Sequence, residues 1–221
     1  MEKNLNAARR VLIVDDHPMM REGLAQLIEH EPDLCAAHQA DNAAQALQLI
    51  EAGLPDLVLL DISLPDKNGL EVIKDLHALH PALPILVVSM HDETLYAERV
   101  LRAGGRGYIM KQEGGKKLMQ AIRHVLSGQI YVSESMSAKI LAIFSGHRTN
   151  TQSPIEQLTD REFEVFQLIG QGHGTRQIAQ RLHLSVKTVE VHRGNIKKKL
   201  QLQSGNDVIR YAIRWAEAQH P

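Results

Sequence analysis

Three short apolar runs in this chain end in charged residues, and this recurrence limits the folds open to it. Asp15 and Asp16 end the first run, Asp61 ends the second, and Lys111 follows the third. Runs of this length and composition are typical of strands buried in a parallel sheet, and ligands of such sheets bind just outside the carboxyl ends of the strands. Side chains far apart in sequence are therefore expected to meet in one pocket.

The expected pocket contains three carboxylates and one ammonium group. Carboxylates at close range repel one another unless a cation lies between them. Mg²⁺ suits such a pocket because it binds a few carboxylates, keeps several waters and takes phosphate oxygens as its remaining ligands. The ammonium of Lys111 would complement a phosphoryl group. The pattern therefore favours a magnesium-dependent phosphoryl site.

Strands and helices alternate through the first half of the chain. Five strand–helix units in succession predict a doubly wound α/β domain with a five-stranded parallel sheet. The strands are expected at Val11–Val14, Leu34–Ala37, Leu57–Leu60, Ile85–Val88 and Gly107–Met110, and the helices at Pro18–Glu29, Ala43–Ala52, Leu70–Leu79, Glu93–Ala103 and Gly115–Ser127.

After Gly128 the pattern changes to helices alone. A short amphipathic helix is expected over 133–144, and the polar segment 145–153 indicates a linker. Helical periodicity from Leu158 to Trp215 then predicts a small all-α domain. The predicted domain bounds are 9–128, 129–154 for a linker with a short helix, and 155–221.

The two halves of the chain carry opposite net charge. Residues 1–130 contain 13 Lys and Arg against 18 Asp and Glu, whereas residues 131–221 contain 12 against 8. This split makes nucleic acid a candidate partner of the basic half. No apolar run reaches the length of a membrane-spanning helix, and the first residues do not resemble a signal peptide. We therefore expect a cytoplasmic protein without a membrane partner.

Four separated segments of the first half resemble the receiver domain of bacterial two-component response regulators, which has a flavodoxin-like fold. They are Val-Leu-Ile-Val-Asp-Asp-His (11–17), Asp-Leu-Val-Leu-Leu-Asp-Ile-Ser-Leu-Pro-Asp-Lys-Asn-Gly-Leu-Glu (56–71), Val-Val-Ser (87–89) and Gly-Tyr-Ile-Met-Lys (107–111). The resemblance implies that one aspartate, Asp61, accepts a phosphoryl group from a sensor histidine kinase.

The resemblance also implies the other roles at this site. Mg²⁺ would be bound by Asp16, Asp61 and the backbone carbonyl of Ser63, with Asp15 assisting directly or through water. A carboxylate is a suitable nucleophile for an acyl phosphate, and Mg²⁺ with a lysine offsets the charge of the transferring group. Such a domain catalyses only its own phosphoryl transfer and autodephosphorylation. The residues implied in catalysis and switching are Lys111, Ser89 and Tyr108.

The loop after Lys111 departs from the family pattern, in which a proline often follows the lysine through a cis bond. Gln112 occupies that position here. A cis bond without proline costs about 2.5–4 kcal/mol, so the sequence leaves the geometry of this loop open. In another loop, 65–69, Asp66 and Lys67 are expected to be turn residues.

Residues 158–202 resemble the LuxR-type helix-turn-helix of response regulators of the NarL/FixJ class. The resemblance implies binding to double-stranded promoter DNA through one recognition helix. The matching residues are Leu158 to Glu162, Glu164, Val165, Ile178, Ala179, Leu182, Leu184, Ser185, Lys187 to His192, Ile196, Lys199 and Leu200.

A helical projection of 185–200 separates a core face from an exposed face. Val189, Ile196 and Leu200 share the core face at 3.6 residues per turn. On the other face, Gly194 would allow close approach to DNA. The residues expected to contact DNA are Thr175, Lys187, Thr188, Glu190, Val191, His192, Gly194, Asn195 and Lys198, with Lys197 and Lys199 suited to flanking phosphates.

Two residues of this helix keep alternative interpretations. Glu190 either accepts a hydrogen bond from cytosine or pairs with a lysine. His192 either contacts a phosphate or makes a hydrogen bond at the edge of the core.

The leading interpretation is a phosphorylation-controlled transcription regulator, and three alternatives fit less well. A phosphatase of the haloacid dehalogenase kind needs an acid two positions after its nucleophile, where this chain has Ser63. A protein-interaction or RNA-binding output is the second alternative, and a base-stacking platform for RNA is disfavoured because aromatics form 4% of the chain and the expected recognition helix has none. A DNA binder that ignores phosphorylation is disfavoured by the complete acidic site.

A single helix-turn-helix reads only a few base pairs, so useful specificity generally requires two. We therefore expect a homodimer on an inverted repeat, promoted by phosphorylation. The apolar final helix, about 206–216, is a candidate interface, and packing of this helix wholly within its own domain is the alternative. RNA polymerase is a further candidate partner.

Overall fold

The computed structural model describes residues 8–144, 154–182 and 184–219. The chain divides into two compact units, Met1–Gly146 and His147–Pro221. The predicted linker at 145–153 lies outside the described residues. Within the described ranges, no helix combines the length and apolar character needed to cross a membrane.

Unit 1 is built on a parallel sheet with the strand order β2-β1-β3-β4-β5. The strands are β1 (Arg9–Val14), β2 (Leu34–Ala40), β3 (Leu57–Leu60), β4 (Ile85–Ser89) and β5 (Gly107–Met110). The order reverses direction at β1, with β2 on one side of it and β3 on the other. The helices that connect the strands are α1 (Pro18–Glu29), α2 (Ala43–Ala52), α3 (Gly69–Leu79) and α4 (Glu93–Ala103), and α5 (Gly115–Leu126) follows β5.

Both faces of the sheet are buried, as the continuous apolar strands predicted. Alternate strand residues such as Val11, Leu59 and Leu86 form one core cluster with apolar side chains of α1 and α5. Their neighbours Leu12 and Val58 point to the opposite face and are equally inaccessible to solvent. The doubly wound α/β fold predicted from the sequence is therefore confirmed.

Side-chain caps fix where several helices of unit 1 begin. Asn42, Asn68 and Asp92 each accept a hydrogen bond from a backbone N–H in the first turn of the helix that follows. Asp66, expected to be only a turn residue, accepts from the backbone N–H groups of Ala43 and of Ala44 at 2.9 and 3.0 Å. The loop after β3 is thereby tied to the start of α2.

The segment after α5 continues unit 1 and extends the edge of its sheet. The backbone N–H of Tyr108 donates to the carbonyl of Tyr131 at 2.8 Å, and the N–H of Tyr131 donates to the carbonyl of Arg106 at 3.0 Å. A further helix, α6 (Glu134–Phe144), then follows. Residues 129–144 therefore belong to the same compact unit as the sheet, and the predicted domain bounds remain predictions.

Unit 2 consists of helices. A 3₁₀ turn over Pro154–Gln157 precedes α7 (Asp160–Gly170), α8 (Thr175–Arg181), α9 (Val186–Lys199) and α10 (Gly205–Gln219). Its core contains Phe163 and Phe166, and the ring of Trp215 packs against both at centroid distances of 5.7 and 5.4 Å. Part of the apolar surface of α10 is therefore used inside its own domain.

Side chains cap several helices of unit 2 at their starts. Thr159 and Glu162 form a capping box at the start of α7, and Ser185 caps α9. Ser204 and Asp207 exchange hydrogen bonds at the start of α10 in the same reciprocal way. For α8 the cap position is Gly174, and Thr175 is the first helical residue.

Candidate functional site

The charged residues predicted to converge do meet at the carboxyl end of the sheet of unit 1. Asp15 directly follows β1, Asp61 follows β3 and Lys111 follows β5. The Nζ atom of Lys111 lies 2.7 Å from Asp15 Oδ2 and 2.8 Å from Asp61 Oδ2. All three side chains are at most 5% exposed. One ammonium group thus holds together two buried carboxylates from different strands.

The second oxygen of each buried carboxylate accepts from the chain that follows it. Asp15 Oδ1 accepts from the backbone N–H of His17 at 2.9 Å. Asp61 Oδ1 accepts from the backbone N–H of Ser63 at 3.3 Å. These bonds orient the two side chains within their loops.

Asp16 lies at the more exposed side of this cluster. Its side chain is 34% exposed, and its Oδ1 is 2.8 Å from Nδ1 of His17. The ligand atoms of Asp15, Asp16 and His17 all lie within 4.8 Å of one another. The imidazole nitrogen of His17 is a further potential metal ligand, which the sequence pattern did not indicate.

The residues present fit a magnesium ion by their chemistry. Asp15, Asp16 and Asp61 bring three carboxylates to one sheet end, whereas one ammonium group, that of Lys111, bonds to two of them. The surplus of negative charge and the hard oxygen donors are what Mg²⁺ requires.

Burial and charge act in opposite directions on the lysine. Burial alone would lower the pKa of Lys111, but the hydrogen bonds from its ammonium group to Asp15 and Asp61 outweigh that effect and raise the pKa above its ordinary value. The lysine therefore stays charged at neutral pH and can meet an anionic group placed beside Asp61.

Ser89 and Tyr108 lie next to this cluster and are fully buried. The hydroxyl of Tyr108 donates to the backbone carbonyl of His91 at 2.8 Å, and the backbone N–H of His91 donates to Ser89 Oγ at 3.3 Å. Burial raises the pKa of the Tyr108 hydroxyl far above its usual range. The ring of Tyr108 thus points inward in this structure as a neutral hydrogen-bond donor.

The structure shows the geometry of the loop after Lys111, which the sequence left open. No peptide bond in the described part of the chain is cis, so the bond between Lys111 and Gln112 is trans. Lys111–Glu113 forms a 3₁₀ turn, and Gly114 follows it with a φ of 79°.

Helix α9, which the sequence predicts to be the recognition helix, has the two faces that its periodicity predicted. Val189, Ile196 and Leu200 are buried at 8% exposure or less, which confirms the core face. Residues predicted to contact DNA fall into an exposed group, Lys187, Glu190, Val191 and Lys198, and a partly buried group, Thr175, Thr188, His192, Gly194 and Asn195.

Local contacts qualify the roles of three residues in and near this helix. Arg193 Nη1 donates to the hydroxyl of Thr175 at 2.9 Å, so that hydroxyl is already engaged with α9. A Cβ added at Gly194 would meet no atom within 4 Å, which leaves room for close approach of a partner. Nδ1 of His192 is buried and has no hydrogen-bond partner within the described ranges.

The last lysine of α9 is bonded within its own domain. Lys199 Nζ donates to Glu162 Oε2 at 2.6 Å, and the same oxygen accepts from the backbone N–H of Thr159 at 2.9 Å. Burial by itself would raise the pKa of Glu162, but the bonds from Lys199 and Thr159 outweigh it and lower the pKa. Lys199 thus links the end of α9 to the start of α7.

Sequence reasoning missed the side-chain role of His91. Its Nε2 lies 2.9 Å from Ser63 Oγ, and its ring stacks on Tyr96 at a centroid distance of 4.9 Å. A histidine two positions after a strand end carries no periodic signal, so only its three-dimensional contacts distinguish it from the other surface histidines of the chain.

Comparison with known proteins matches both units to described families. Residues 11–123 match the response regulator receiver domain, and residues 156–212 match the bacterial regulatory proteins of the luxR family. The chain belongs to the NarL/FixJ class of response regulators, in which a receiver domain precedes a LuxR-type DNA-binding domain. It is a phosphorylation-controlled, DNA-binding transcription regulator.

Individual relatives span nearly the whole chain. The nitrate/nitrite response regulator protein NarL of Escherichia coli is 35% identical, over 88% of this chain and 90% of its own length. The oxygen regulatory protein NreC of Staphylococcus haemolyticus is 32% identical, over 93% and 97%. A structure of RcsB from Salmonella enterica serovar Typhimurium, bound to promoter rprA with the phosphomimetic BeF3-, is similar in fold, with a TM-score of 0.69, 22% identity, and coverage of 93% and 98%.

Proposed function

We propose that Asp61 is the residue that accepts the phosphoryl group, from a sensor histidine kinase. The observation that carries this proposal is the position of Lys111, whose ammonium group bonds to both Asp15 and Asp61 at the end of the sheet. Of the two carboxylates, Asp61 directly follows the central strand β3, and its loop continues to Ser63. An ammonium group already in contact with the acceptor can neutralise the incoming group without rearrangement.

The proposed transfer forms an acyl phosphate. A carboxylate oxygen of Asp61 attacks phosphorus, the bond between phosphorus and the kinase histidine nitrogen breaks, and the electron pair stays with that nitrogen. Lys111 then pairs with a phosphoryl oxygen, and Ser89 offers its hydroxyl to another. Attack of water on phosphorus then breaks the bond to the Asp61 oxygen, releases inorganic phosphate and returns the free carboxylate. In this proposal the domain catalyses only its own phosphorylation and dephosphorylation.

We propose Mg²⁺ as the cofactor of this transfer. Asp15, Asp16 and Asp61 would hold it with the backbone carbonyl of Ser63, and the ion would neutralise charge on the phosphoryl oxygens when bound. Without it, the charge of an incoming phosphoryl group would add to the surplus of carboxylates.

The proposed acceptor is tested with a small-molecule donor. After incubation of the full chain with acetyl phosphate and Mg²⁺, intact mass spectrometry should show one added phosphoryl group. Asp61→Asn should remove it, whereas the matched control Asp75→Asn, on the surface of α3, should leave it unchanged. Full labelling of the Asp61→Asn variant would place the acceptor elsewhere.

We propose that α9 binds promoter DNA in the major groove. Its exposed face carries Lys187, Val191 and Lys198, and Asn195 lies beside them with an amide that can read a base edge. The RcsB structure, whose fold this chain shares, contains promoter DNA. A gel shift against genomic fragments, with and without acetyl phosphate, tests both the DNA binding and its control.

We propose further that the phosphorylated protein acts as a homodimer on an inverted repeat, in the cytoplasm, with RNA polymerase as an additional partner. On α10, Val208 and Ala212 are buried in their own domain, whereas Ile209 and Ile213 are only partly buried and could contact a second copy. Footprinting should show two symmetric half-sites, and sedimentation should show a mass increase that depends on the phosphodonor. One unsymmetric half-site bound by a monomer at full affinity would contradict the dimer.

A further inference from the structure

The side chain of His91 contacts two separate parts of unit 1, the loop after β3 and the helix α4. Its Nε2 atom lies 2.9 Å from Ser63 Oγ, in the loop that follows the phosphoacceptor. Its ring stacks on Tyr96 of α4, with an interplanar angle of 27° and centroids 4.9 Å apart. The imidazole is therefore held by a hydrogen bond to the loop after β3 and by ring stacking on α4.

The backbone of the same residue holds the buried switch residues. Its carbonyl accepts the hydroxyl of Tyr108 at 2.8 Å, and its N–H donates to Ser89 Oγ at 3.3 Å. The position of the His91 peptide therefore decides whether the Tyr108 hydroxyl keeps this backbone acceptor in its buried position. A buried hydroxyl that loses a hydrogen-bond acceptor is destabilised, so displacement of this peptide favours an outward Tyr108.

Together these contacts form a continuous chain from the phosphoacceptor to the aromatic ring. Asp61 Oδ1 accepts from the N–H of Ser63, Ser63 Oγ bonds to the His91 imidazole, and the His91 carbonyl accepts from Tyr108. A second connection from His91 to Tyr108 passes through Ser89.

We propose that His91 is a positioning residue that couples the phosphoacceptor loop to the Tyr108 switch through the hydrogen bond between its imidazole and Ser63. The inference rests on the proposed function, because it concerns how the state of Asp61 reaches Tyr108. His91 does not touch the transferring group in this scheme. Its side chain fixes the position of its own peptide group, whose carbonyl accepts the hydrogen bond from the Tyr108 hydroxyl.

The experiment measures the state of Tyr108 in the full chain without any phosphodonor. All four tyrosines are replaced by 3-fluorotyrosine, and Tyr108→Phe assigns the ¹⁹F signal of Tyr108. His91→Phe keeps a ring to stack on Tyr96 but loses the bond to Ser63. His91→Gln places an amide nitrogen near the position of Nε2 and can restore that bond.

We expect His91→Phe to shift the ratio of buried to exposed Tyr108 roughly 2-fold to 30-fold towards the exposed state, the range of couplings carried by such contacts. His91→Gln should restore most of the wild-type signal. Ser63→Ala should produce a shift like that of His91→Phe, and the double variant should shift no further, because both substitutions remove the same bond. His38→Phe, on the exposed part of β2, is the matched control and should leave Tyr108 unchanged.

An unchanged Tyr108 signal in both His91→Phe and Ser63→Ala would overturn the proposal, as would shifts that simply add in the double variant. Thermal melts by circular dichroism identify variants that do not fold. If His91→Phe does not fold, the Tyr108 signals of His91→Gln and Ser63→Ala are compared instead. The proposed function is tested separately on the same wild-type sample by its mass after treatment with acetyl phosphate. A protein that takes up no phosphoryl group on Asp61 but keeps the Tyr108 coupling would refute the acceptor alone.

Discussion

Each unit of the molecule contains a lysine bonded to a buried carboxylate, and the two sites differ in their charge balance. In unit 1, Lys111 is 4% exposed and bonds to both Asp15 and Asp61, with Asp16 close by. In unit 2, Lys199 is 35% exposed and, among the residues that the structure describes, bonds to one carboxylate, that of Glu162. One site therefore has an excess of carboxylates, whereas the other pairs one acid with one base.

The difference in balance separates a site built for a further ligand from a structural contact. The carboxylate of Glu162 accepts from the backbone N–H of Thr159 at the start of α7 and from the ammonium group of Lys199 at the end of α9. Each of these interactions therefore stabilises the fold. The carboxylates at Lys111 come from loops at strand ends and repel one another without an added cation. A surplus of like charge in a buried cluster costs stability, and that cost is offset when a cation binds.

The largest difference should appear when each lysine is replaced by methionine. Lys111→Met leaves Asp15 and Asp61 buried without a cation, and we expect a loss of about 3–5 kcal/mol in the free energy of unfolding of unit 1. Lys199→Met should cost unit 2 only about 1 kcal/mol, because Lys199 is partly solvated and Glu162 keeps its bond from Thr159. Urea titrations followed by circular dichroism measure both units.

The single tryptophan, Trp215, packs in the core of unit 2, and its fluorescence reports on that unit alone. The lysine comparison is performed without Mg²⁺, and added Mg²⁺ should restore part of the stability lost in Lys111→Met. Equal losses in the two lysine variants would show that charge balance does not distinguish the sites.

The next effect concerns pH and the charge of Glu162. The pKa of Glu162 is lowered in the folded state from its ordinary value of 4.5. A lowered pKa stabilises the fold fully above that ordinary value, and the stabilisation is lost as the pH falls through the folded value. Glu162→Gln, which can still accept from Thr159, should cost about 1 kcal/mol at pH 7.

The measurement is the urea midpoint of Trp215 fluorescence between pH 7 and pH 3. The wild-type midpoint should fall more steeply below pH 4.5 than the midpoint of Glu162→Gln, so the two curves should converge in acid. Asp160→Asn, two residues earlier in the same first turn of α7, is the control for the general effect of charge. Parallel curves would mean that the bond from Lys199 does not depend on the carboxylate charge.

Sequence patterns predicted the fold almost completely, because each strand and helix carries its own periodicity. The strand Leu57–Leu60 and the helix Pro18–Glu29 have the predicted bounds. Convergence of Asp15, Asp61 and Lys111 also followed from topology alone, since the carboxyl ends of parallel strands share one edge.

Contacts between residues of different elements could not be predicted in the same way. The position of Lys199 beside the exposed face of the helix predicts a phosphate contact, whereas its bond to Glu162 depends on how α7 and α9 pack. Asp66 was expected to be a turn residue, and its role as a cap of α2 depends on the distance between two loops. Side-chain partners at such positions are set by tertiary packing, which no local pattern encodes.

A smaller effect separates the lysines of α9 in DNA binding. Lys198 is exposed, whereas Lys199 is held by Glu162. We expect Lys198→Ala to reduce the slope of log affinity against log salt by about 0.9, the value for one lost phosphate contact. Lys199→Ala should leave that slope unchanged while it lowers the unfolding midpoint. Fluorescence anisotropy of a labelled promoter duplex at several salt concentrations measures the slopes, and equal slopes for the two variants would assign Lys199 to the interface.

The smallest effect has the opposite sign and tests the comparison most directly. Asp16 is part of the surplus, and its side chain is 34% exposed, so solvent screens much of its repulsion. In EDTA, Asp16→Asn should therefore raise the free energy of unfolding of unit 1 by only about 0.5 kcal/mol. Removal of the acid Glu162 from the balanced site should lower the stability of unit 2 under the same conditions.

In excess Mg²⁺ the gain in stability from Asp16→Asn should vanish or reverse, because the variant loses an oxygen ligand and the wild type gains the stabilisation of the bound ion. Thermal melts in EDTA and in MgCl₂ measure this crossover, and a variant destabilised in EDTA would show that Asp16 serves the fold as Glu162 does.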